Sequence, residues 1–536
     1  MSGLHRRGIA AGGEPAVERQ RDSSGGATGG KVVDLQRLAT ITDERRARGE
    51  RLVLCHGVFD LLHVGHLRHL KTARSNGDIL VVTITGDSYV NKGPGRPAFT
   101  SSLRAEVLAA LDVVDYVAVI EDPSALKAIE AVKPHVYVKG GEYTDIKGDI
   151  TGKIAAEIEL VERFGGTVQF TDDITFSSSN LLNRHFDIQN TATRAYLDTL
   201  RDTDFEQQFI RLLGKISQLK IVVIGETIID RYVYVEAMGK SAKENILATL
   251  RRDEEVFAGG AVAIANHLAG LSPNVELITV VGDPAIGENY ESFVRERLDS
   301  SAKLSLIYRP DGPTVEKTRF VEPTYVRKLF ELYTMDDNPL PDSVQRKFRE
   351  TLSSKLKDAD IAIVCDFGHG FFDAETVELL EREARFLAVN VQSNAGNIGY
   401  NMLDKYARAD FMCIDAMEAR LAVRDKHADL VEVVGTHLPA LVDCANFIVT
   451  HGRSGCFAKG KDGVVNMPAF SASIVDTVGA GDAFFAVAAP CLAAGGNCEM
   501  AAFAGNIAGA LKIGIIGHRR YLTRLDIQRS VAALLK

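Results

Sequence analysis

The stretch HGVFDLLHVGH, residues 56–66, holds three of the chain's 13 histidines, and His69 follows one turn later. Imidazoles at this density serve three kinds of chemistry: a metal site, a site that neutralises phosphate charge, or a helix face on which they are incidental. His63 and His66 are three residues apart, a spacing that brings two side chains onto one face near a helix start. From there they can donate hydrogen bonds to phosphate oxygens whose charge grows in a transition state. The N–H groups of a helix start already favour an anion. A zinc site would need a third ligand and an outer shell to orient it. His69 is the available candidate, yet no HExxH pattern or nearby cysteine completes the set. Gly65, between the histidines, is costly inside a helix, and close approach of a ligand accounts for it. Phosphate handling is the favoured reading, with the metal site and incidental histidines as alternatives. Asp60 can bind Mg²⁺ or cap the helix, and the cap is favoured.

A second dense signal is DTVGAGDAFFA, residues 476–486. Gly479, Ala480 and Gly481 at a helix start would form a nest of N–H groups that accepts an anion. Asp482, just inside it, is placed to take a proton from a hydroxyl while the nest steadies a transferring phosphoryl group. The MGKSA stretch at 238–242 is no Walker motif, since Tyr234 stands where its first glycine belongs. Alone, GAGD also suits a small-residue helix packing site.

The elements that must hold these groups alternate regularly. A helix over 32–50 leads into a buried strand at 51–55. Strands follow at 78–87, 116–120, 135–141 and 167–170, with helices at 102–114 and 125–133. Continuous apolar strands separated by helices predict a parallel, doubly wound sheet. Residues 187–216 are polar and helical without a strand and read as a linker. A second α/β series starts at 219–230 and continues through strands at 275–283, 361–368, 386–392, 410–415 and 446–452. The expected organisation is a disordered tail over 1–30, a transferase-like domain over 31–186, the helical linker over 187–216, and a kinase-like domain over 217–536. Both domains are expected to be α/β and doubly wound, with ligands at the carboxyl ends of the strands.

At 536 residues the chain exceeds one ordinary core. Its net charge of -9 supplies no basic field for nucleic acid, so phosphate binding must be local. No apolar run reaches membrane-spanning length. Seven scattered cysteines without a CxxC pair fit reduced thiols in a cytoplasmic enzyme better than a disulfide framework.

HxGH after GVFD is similar to the signature of the nucleotidyltransferase superfamily that includes the cytidylyltransferases and pantetheine-phosphate adenylyltransferases. KGGEY (139–143) and FSSSN (176–180) look like later motifs of its heptose-phosphate adenylyltransferase branch. The resemblance covers about residues 50–185. It implies a Rossmann-like domain in which a sugar-phosphate oxygen attacks the α-phosphorus of ATP, or of CTP, and pyrophosphate leaves. Positioning and charge neutralisation then carry the catalysis. His63 and His66 would stabilise the α-phosphate, and Lys139 would take phosphate charge. Gly57, Phe59, Gly140 and Gly141 would border the nucleotide, and Ser178 and Ser179 would donate to its outer phosphates. Lys92 and Arg96, in the Gly/Pro-rich NKGPGRPAF loop, would either close on substrate or be solvated surface charges.

Residues 218–536 resemble the ribokinase-like (PfkB) sugar kinases. That resemblance assigns sugar hydroxyls to Asp230, close sugar approach to Gly259 and Gly260, and further pocket positions to Lys317 and Arg319. It also picks out Asp366, places Thr450, Gly455 and Asn506 near ATP, and makes Asp482 the base. Three positions depart from the pattern. Ala263 stands where an asparagine is usual, and Asn390-Val391 replaces Asp-Pro at the end of the central strand. The Mg²⁺-linked Asn-x-x-Glu appears as Asp415-Ala-Met-Glu418, which keeps two carboxylates for the ion. If part of the pocket is lost, Asn390 and Gln392 are rearranged polar groups that could serve the sugar.

Together the halves resemble the bifunctional heptose kinase/adenylyltransferases of lipopolysaccharide precursor synthesis, with the transferase placed first. The expected protein is a cytoplasmic, homodimeric enzyme using Mg²⁺, NTP and a sugar phosphate, with no nucleic-acid or membrane partner. The alternative is a cytidylyltransferase for a polyol or sugar phosphate, joined to a kinase-fold module that only binds sugar or dimerises.

Overall fold

A computed structural model describes residues 30–90, 96–140, 153–171, 191–201, 203–286, 288–324, 326–470 and 474–535. The chain separates into two compact units. The first comprises Met1–Phe59, Val64–Tyr89 and Thr100–Asp173, and the second Ile174–Lys536 together with the short segments Asp60–His63 and Val90–Phe99.

The first unit is built on five parallel strands, β1 (Leu52–Gly57), β2 (Ile79–Thr85), β3 (Tyr116–Ile120), β4 (Val136–Gly140) and β5 (Thr167–Thr171). Their order is β3-β2-β1-β4-β5. All seven residues of β2 are buried, as are the first four of β1, because helices cover both faces of a parallel sheet. The order reverses between β1 and β4, so the ligand crevice expected of such a sheet lies beyond Gly57 and Gly140. The first helix spans Leu35–Ala47, shorter than the 32–50 expected, because Asp34 caps it by accepting from Arg37 N at 2.7 Å.

In the second unit, β6 (Ile221–Lys240) is a 20-residue strand at the branch of a 12-stranded sheet. Its first part lies between β8 (Val275–Gly282) and β12 (Ile361–Asp366), with β9 (Lys303–Arg309) beyond β8. On the other side β13 (Leu387–Val391), β14 (Arg408–Asp415) and β15 (Asp443–Thr450) continue the parallel array. β16 (Cys456–Gly460) and β17 (Gly463–Met467) close it antiparallel. Alternate residues feed opposite faces. Val223 and Ile363 join one apolar core, whereas Val222, Ile224, Ala362 and Val364 join the other. The far part of β6 pairs with β7 (Leu247–Gly260) and β10 (Val315–Glu322), and β10 pairs with β11 (Arg327–Thr334).

Residues 187–216 are not a linker in their described part. Helices Thr191–Arg201 and Phe205–Ile216 place Leu197, Leu200, Phe209, Leu212 and Ile216 in the main core of the second unit. The polar appearance of that stretch comes from the outer face of amphipathic helices. All seven cysteines are buried and unbridged. No helix among the described residues is long and apolar enough to cross a membrane.

Candidate functional site

In the first unit, β1 ends in His56 and Gly57, and the chain turns sharply at Phe59, whose φ is +48°. A non-glycine residue in this left-handed region is strained by about 1–3 kcal/mol, so its surroundings must hold it there. The Phe59 ring lies so close that a Cβ on Gly57 would sit 3.1 Å from it, and it braces His66 with ring centroids 5.3 Å apart. Arg104, buried, donates to Val58 O at 2.5 Å, to Thr85 O at 2.9 Å and to Asp87 Oδ1 at 2.6 Å, tying the turn to the end of β2. The helix that follows spans Val64–Arg74, so His66 is in its first turn and His63 immediately precedes it.

Three expectations change here. His69 Nδ1 is hydrogen-bonded to Thr171 Oγ1 at 2.9 Å, and no cluster of three metal-ligating side chains occurs among the described residues. Asp60 does not cap the helix. It accepts from Arg96 Nε at 2.5 Å and from the Ala98 and Phe99 amides at 2.7 and 3.2 Å. Arg96 is therefore a buried ion-pair partner of Asp60, neither a solvated charge nor a gate. Lys139, at the end of β4, has its ammonium 2.9 Å from Glu157 Oε2. Burial works to raise the Glu157 carboxyl, but Lys139, with the Ala125 amide and His56 adding to it, holds the group below its ordinary range. Lys139 thus reaches a phosphate only by sharing this carboxylate. Gly140 ends β4, half-buried, at the crevice. Lys92, Gly141, Ser178 and Ser179 lie outside the described residues.

In the second unit, Gly479 adopts φ +73° and caps helix Ala480–Ala493, which places Asp482 in the first turn. A Cβ on Gly479 would fall 2.6 Å from the His518 ring. The expected nest is smaller than three amides, since Ala480 N–H is taken by Thr477 O at 3.2 Å, leaving Gly481 as the other nest position. Lys512, fully buried, donates to Val478 O at 2.6 Å and Gly517 O at 2.7 Å, fixing the approach to the helix. Burial raises the Asp482 carboxyl above its ordinary value, while Gln392, His518 and Lys512 oppose that rise and Asp230 adds to it. An elevated carboxyl suits a general base.

Asp230 is buried in an ion pair with Arg319, with His518 Nε2 at 3.4 Å from its other oxygen. Burial works to raise it, but Arg319 and His518 win and hold the carboxyl well below the usual range. Arg319 is accordingly the counter-ion of Asp230, and it also pairs with Glu331 at 2.9 Å. Lys317 projects from the same strand under the influence of Asp230 and Asp482, although burial lowers its pKa. Gly259 is required by Asp230 itself, whose Oδ2 lies 2.1 Å from where a Cβ would be. Gly260, at φ +57°, makes the turn into helix Ala261–Ala269, where Ala263 is buried.

Residues 218–521, more than half of the chain, match the pfkB family of carbohydrate kinases. The chain belongs to that family. Residues 54–183 match the cytidylyltransferase-like family, so a nucleotidyltransferase-type domain precedes the kinase-family domain. In the transferase part, "Bifunctional protein HldE" of Geotalea uraniireducens is 41% identical over 160 residues, covering 29% of this chain and 31% of that protein. The protein of the same name from Geobacter sulfurreducens is 43% identical over 141 residues, covering 26% and 27%. The chain thus spans about a third of the length of the curated relatives it matches. Among solved structures, ribokinase from Thermotoga maritima aligns at 20% identity with a TM-score of 0.46, over 59% of this chain and 99% of that one. Phosphofructokinase-2 from Escherichia coli aligns at 14% identity with a TM-score of 0.49, over 59% and 100%.

Within the pfkB-family domain, several expected nucleotide contacts have structural duties. Asn506 Nδ2 donates to Pro468 O at 2.9 Å, and Thr450 Oγ1 lies 3.5 Å from Ile414 O. Gly455, at φ +93°, is needed where Met467 O comes within 2.0 Å of a would-be Cβ. Asp415 and Glu418 form a capping box on helix Ala416–Ala422, which accounts for their spacing without a metal. Both Glu418 oxygens are taken, by Ser393 N at 2.7 Å and Asp415 N at 2.8 Å. Burial nevertheless pushes the Glu418 carboxyl up to about 7, with Asp415 and Asp482 adding to the rise. A cation near these carboxylates would relieve that strain. The donors fit Mg²⁺ that keeps most ligands on nucleotide and water, with exposed Asp415 as the protein's contribution and Glu418 orienting it. Asp366 is held by Tyr406 OH at 2.9 Å and Lys405 Nζ at 2.5 Å, a buried structural carboxylate.

The altered strand end has a use that sequence reasoning missed. Gln392 Nε2 donates one hydrogen to Asp482 Oδ1 and the other to Asn390 Oδ1, both at 2.7 Å. Asn390 in turn donates to Cys413 O at 2.7 Å. These amides hold the candidate base and are not rearranged sugar ligands. His518 and Lys512, both near Asp482, were also missed, since neither lies in a recognisable motif.

Proposed function

We propose that the protein is a bifunctional sugar kinase and sugar-phosphate nucleotidyltransferase that makes a nucleotide-activated sugar of the ADP-heptose type. The observation that carries this reading is that each set of phosphate-handling residues lies at the switch point of its own parallel sheet. His63 and His66 follow β1 in one, and in the other Asp230 lies on β6 past the stretch that pairs with β12, close enough to Asp482 to raise its carboxyl.

In the kinase step, Asp482 takes the proton of a sugar hydroxyl, whose oxygen bonds to the γ-phosphorus of ATP while the bond to the bridging oxygen breaks and ADP leaves. Asp230, kept ionised by Arg319, orients the sugar through its hydroxyls. In the transferase step, an oxygen of the sugar phosphate attacks the α-phosphorus of the NTP and pyrophosphate leaves. His66, braced by Phe59, and His63 donate to the α-phosphate as its charge grows. Mg²⁺, when bound with the nucleotide, neutralises phosphate charge. Release of ADP from ATP with heptose, hexose and pentose acceptors, measured against Asp482→Asn, tests the kinase half. Release of pyrophosphate from ATP or CTP with sugar 1-phosphates, measured against His66→Ala, tests the other.

A reading in which the kinase fold only binds sugar is favoured by Ala263, a buried methyl where the family pattern has a polar group. The Gln392 bond to Asp482 favours catalysis and yields a specific expectation. The base acts when ionised, so the rate falls as pH drops through its pKa. Gln392 lowers that pKa, and a hydrogen bond to a charged group contributes about 1.5–3 kcal/mol. Gln392→Leu should therefore move the acidic limb of the kinase pH–rate profile upward, which initial rates across pH would reveal. An unmoved limb with a lower plateau would make Gln392 a packing residue.

A further inference from the structure

His369 lies three residues beyond the end of β12, in the loop Asp366-Phe367-Gly368-His369-Gly370, and is 3% exposed. Neither ring nitrogen has a hydrogen-bond partner among the described residues. Buried polar atoms in folded proteins are nearly always bonded, so two nitrogens on one ring without a protein partner require a reason. Loose placement is not that reason, because the loop is stitched from every side. The His369 and Phe367 amides donate to the two oxygens of Glu226 at 3.0 and 3.3 Å. Phe367 O accepts from the Asn394 and Asn397 amides at 3.2 and 3.0 Å, and Gly368 O accepts from Asn397 at 3.2 Å. Gly368 and Gly370 adopt φ of +72° and +79°, and a Cβ on either would fall within 2.3 Å of a neighbouring atom. The ring is thus pre-positioned by a framework that spends several side chains on the backbone around it.

Its place decides what it meets. β12 neighbours β6 at the point where the strand order reverses, and the loop leaves its carboxyl end. Lys317 is near enough to depress the imidazole, and Lys317 itself lies in the field of Asp230 and Asp482. We propose that His369 is an acceptor-recognition residue of the kinase site, its ring nitrogens bonding hydroxyls of the sugar that Asp230 and Asp482 handle. Burial, with Lys317 adding to it, pushes the ring down to about 3, so it is neutral at physiological pH. A neutral ring offers one donor and one acceptor, which suits sugar hydroxyls and not a phosphate dianion. The inference rests on the kinase reading above.

The test uses the full chain and ATP with mannoheptose, mannose, fructose and ribose as probes, each with its monodeoxy forms. ADP release is measured for wild type, His369→Ala, His369→Gln and Asp482→Asn. The proposal expects His369→Ala to raise KM for the best acceptor at least about tenfold with KM for ATP unchanged. It also expects the variant to lose wild-type discrimination against one monodeoxy analogue, and His369→Gln to restore part of it. Equal losses for parent and every deoxy sugar, or a matching rise in KM for ATP, would make His369 structural and overturn the proposal. Turnover by wild type no greater than by Asp482→Asn with every probe would remove the kinase reading and this inference together.

Discussion

His66→Ala is expected to slow pyrophosphate release from NTP and sugar 1-phosphate by about 10²–10³-fold, the usual loss when one charge-stabilising donor is removed. His66 stands in the first turn of helix Val64–Arg74 with Phe59 against its ring, and Phe59 is held in a strained turn that Arg104 ties down through Val58. That scaffold fixes the imidazole before substrate arrives, so its loss falls on the chemical step more than on folding. Sugar-dependent ADP release in the same variant should stay near the wild-type rate, since sites without shared partners are normally independent. Pyrophosphate release and ADP release, measured on one preparation, check both halves of the expectation. Equal loss of the two activities would contradict separate sites.

Asp482→Asn should lower sugar-dependent ADP release by about 10²–10⁴-fold, the range for removal of a general base, and leave pyrophosphate release unchanged. Asparagine keeps the shape of the side chain at the start of helix Ala480–Ala493 but has no carboxylate to take the proton. One complication has a definite sign. Gln392 donates to Asp482 Oδ1 at 2.7 Å, and an asparagine carbonyl can still accept that bond, so the helix start should remain ordered. A stability measurement on the variant separates lost chemistry from lost folding: a midpoint near wild type with ADP release abolished is the expected combination.

Most parallel strands were legible because burial on both faces makes them continuous apolar runs, and 116–120 matches β3 (Tyr116–Ile120) residue for residue, whereas the partly exposed parallel strand β9 was not. β7, β10 and β11 were not, since they are partly exposed and pair through β6, whose length of 20 residues gives no local signal. At the candidate sites the motifs could be read locally, whereas the partners of each group came from elsewhere along the chain. Glu157 meets Lys139, Arg96 meets Asp60, and His518 meets Asp230. Two short-range patterns also carry structural duties. Asp415 and Glu418 have metal-like spacing that a capping box explains, and Gly259 makes room for a carboxylate of the protein itself. The linker expectation failed because amphipathic helices show as many polar residues as a solvated segment when the buried face is not known.

The central claim is that one chain carries two independent transferase sites that act on successive forms of one sugar. Phosphorus NMR of a single reaction containing the protein, Mg²⁺, ATP and a heptose tests it most directly. Wild type should show a sugar 1-phosphate signal that gives way to a sugar diphosphonucleoside with pyrophosphate. His66→Ala should stop at the sugar 1-phosphate, Asp482→Asn should show neither product, and the two variants mixed should restore the full sequence. If wild type forms no sugar 1-phosphate, or the mixed variants restore nothing while each folds normally, the two-site account is wrong.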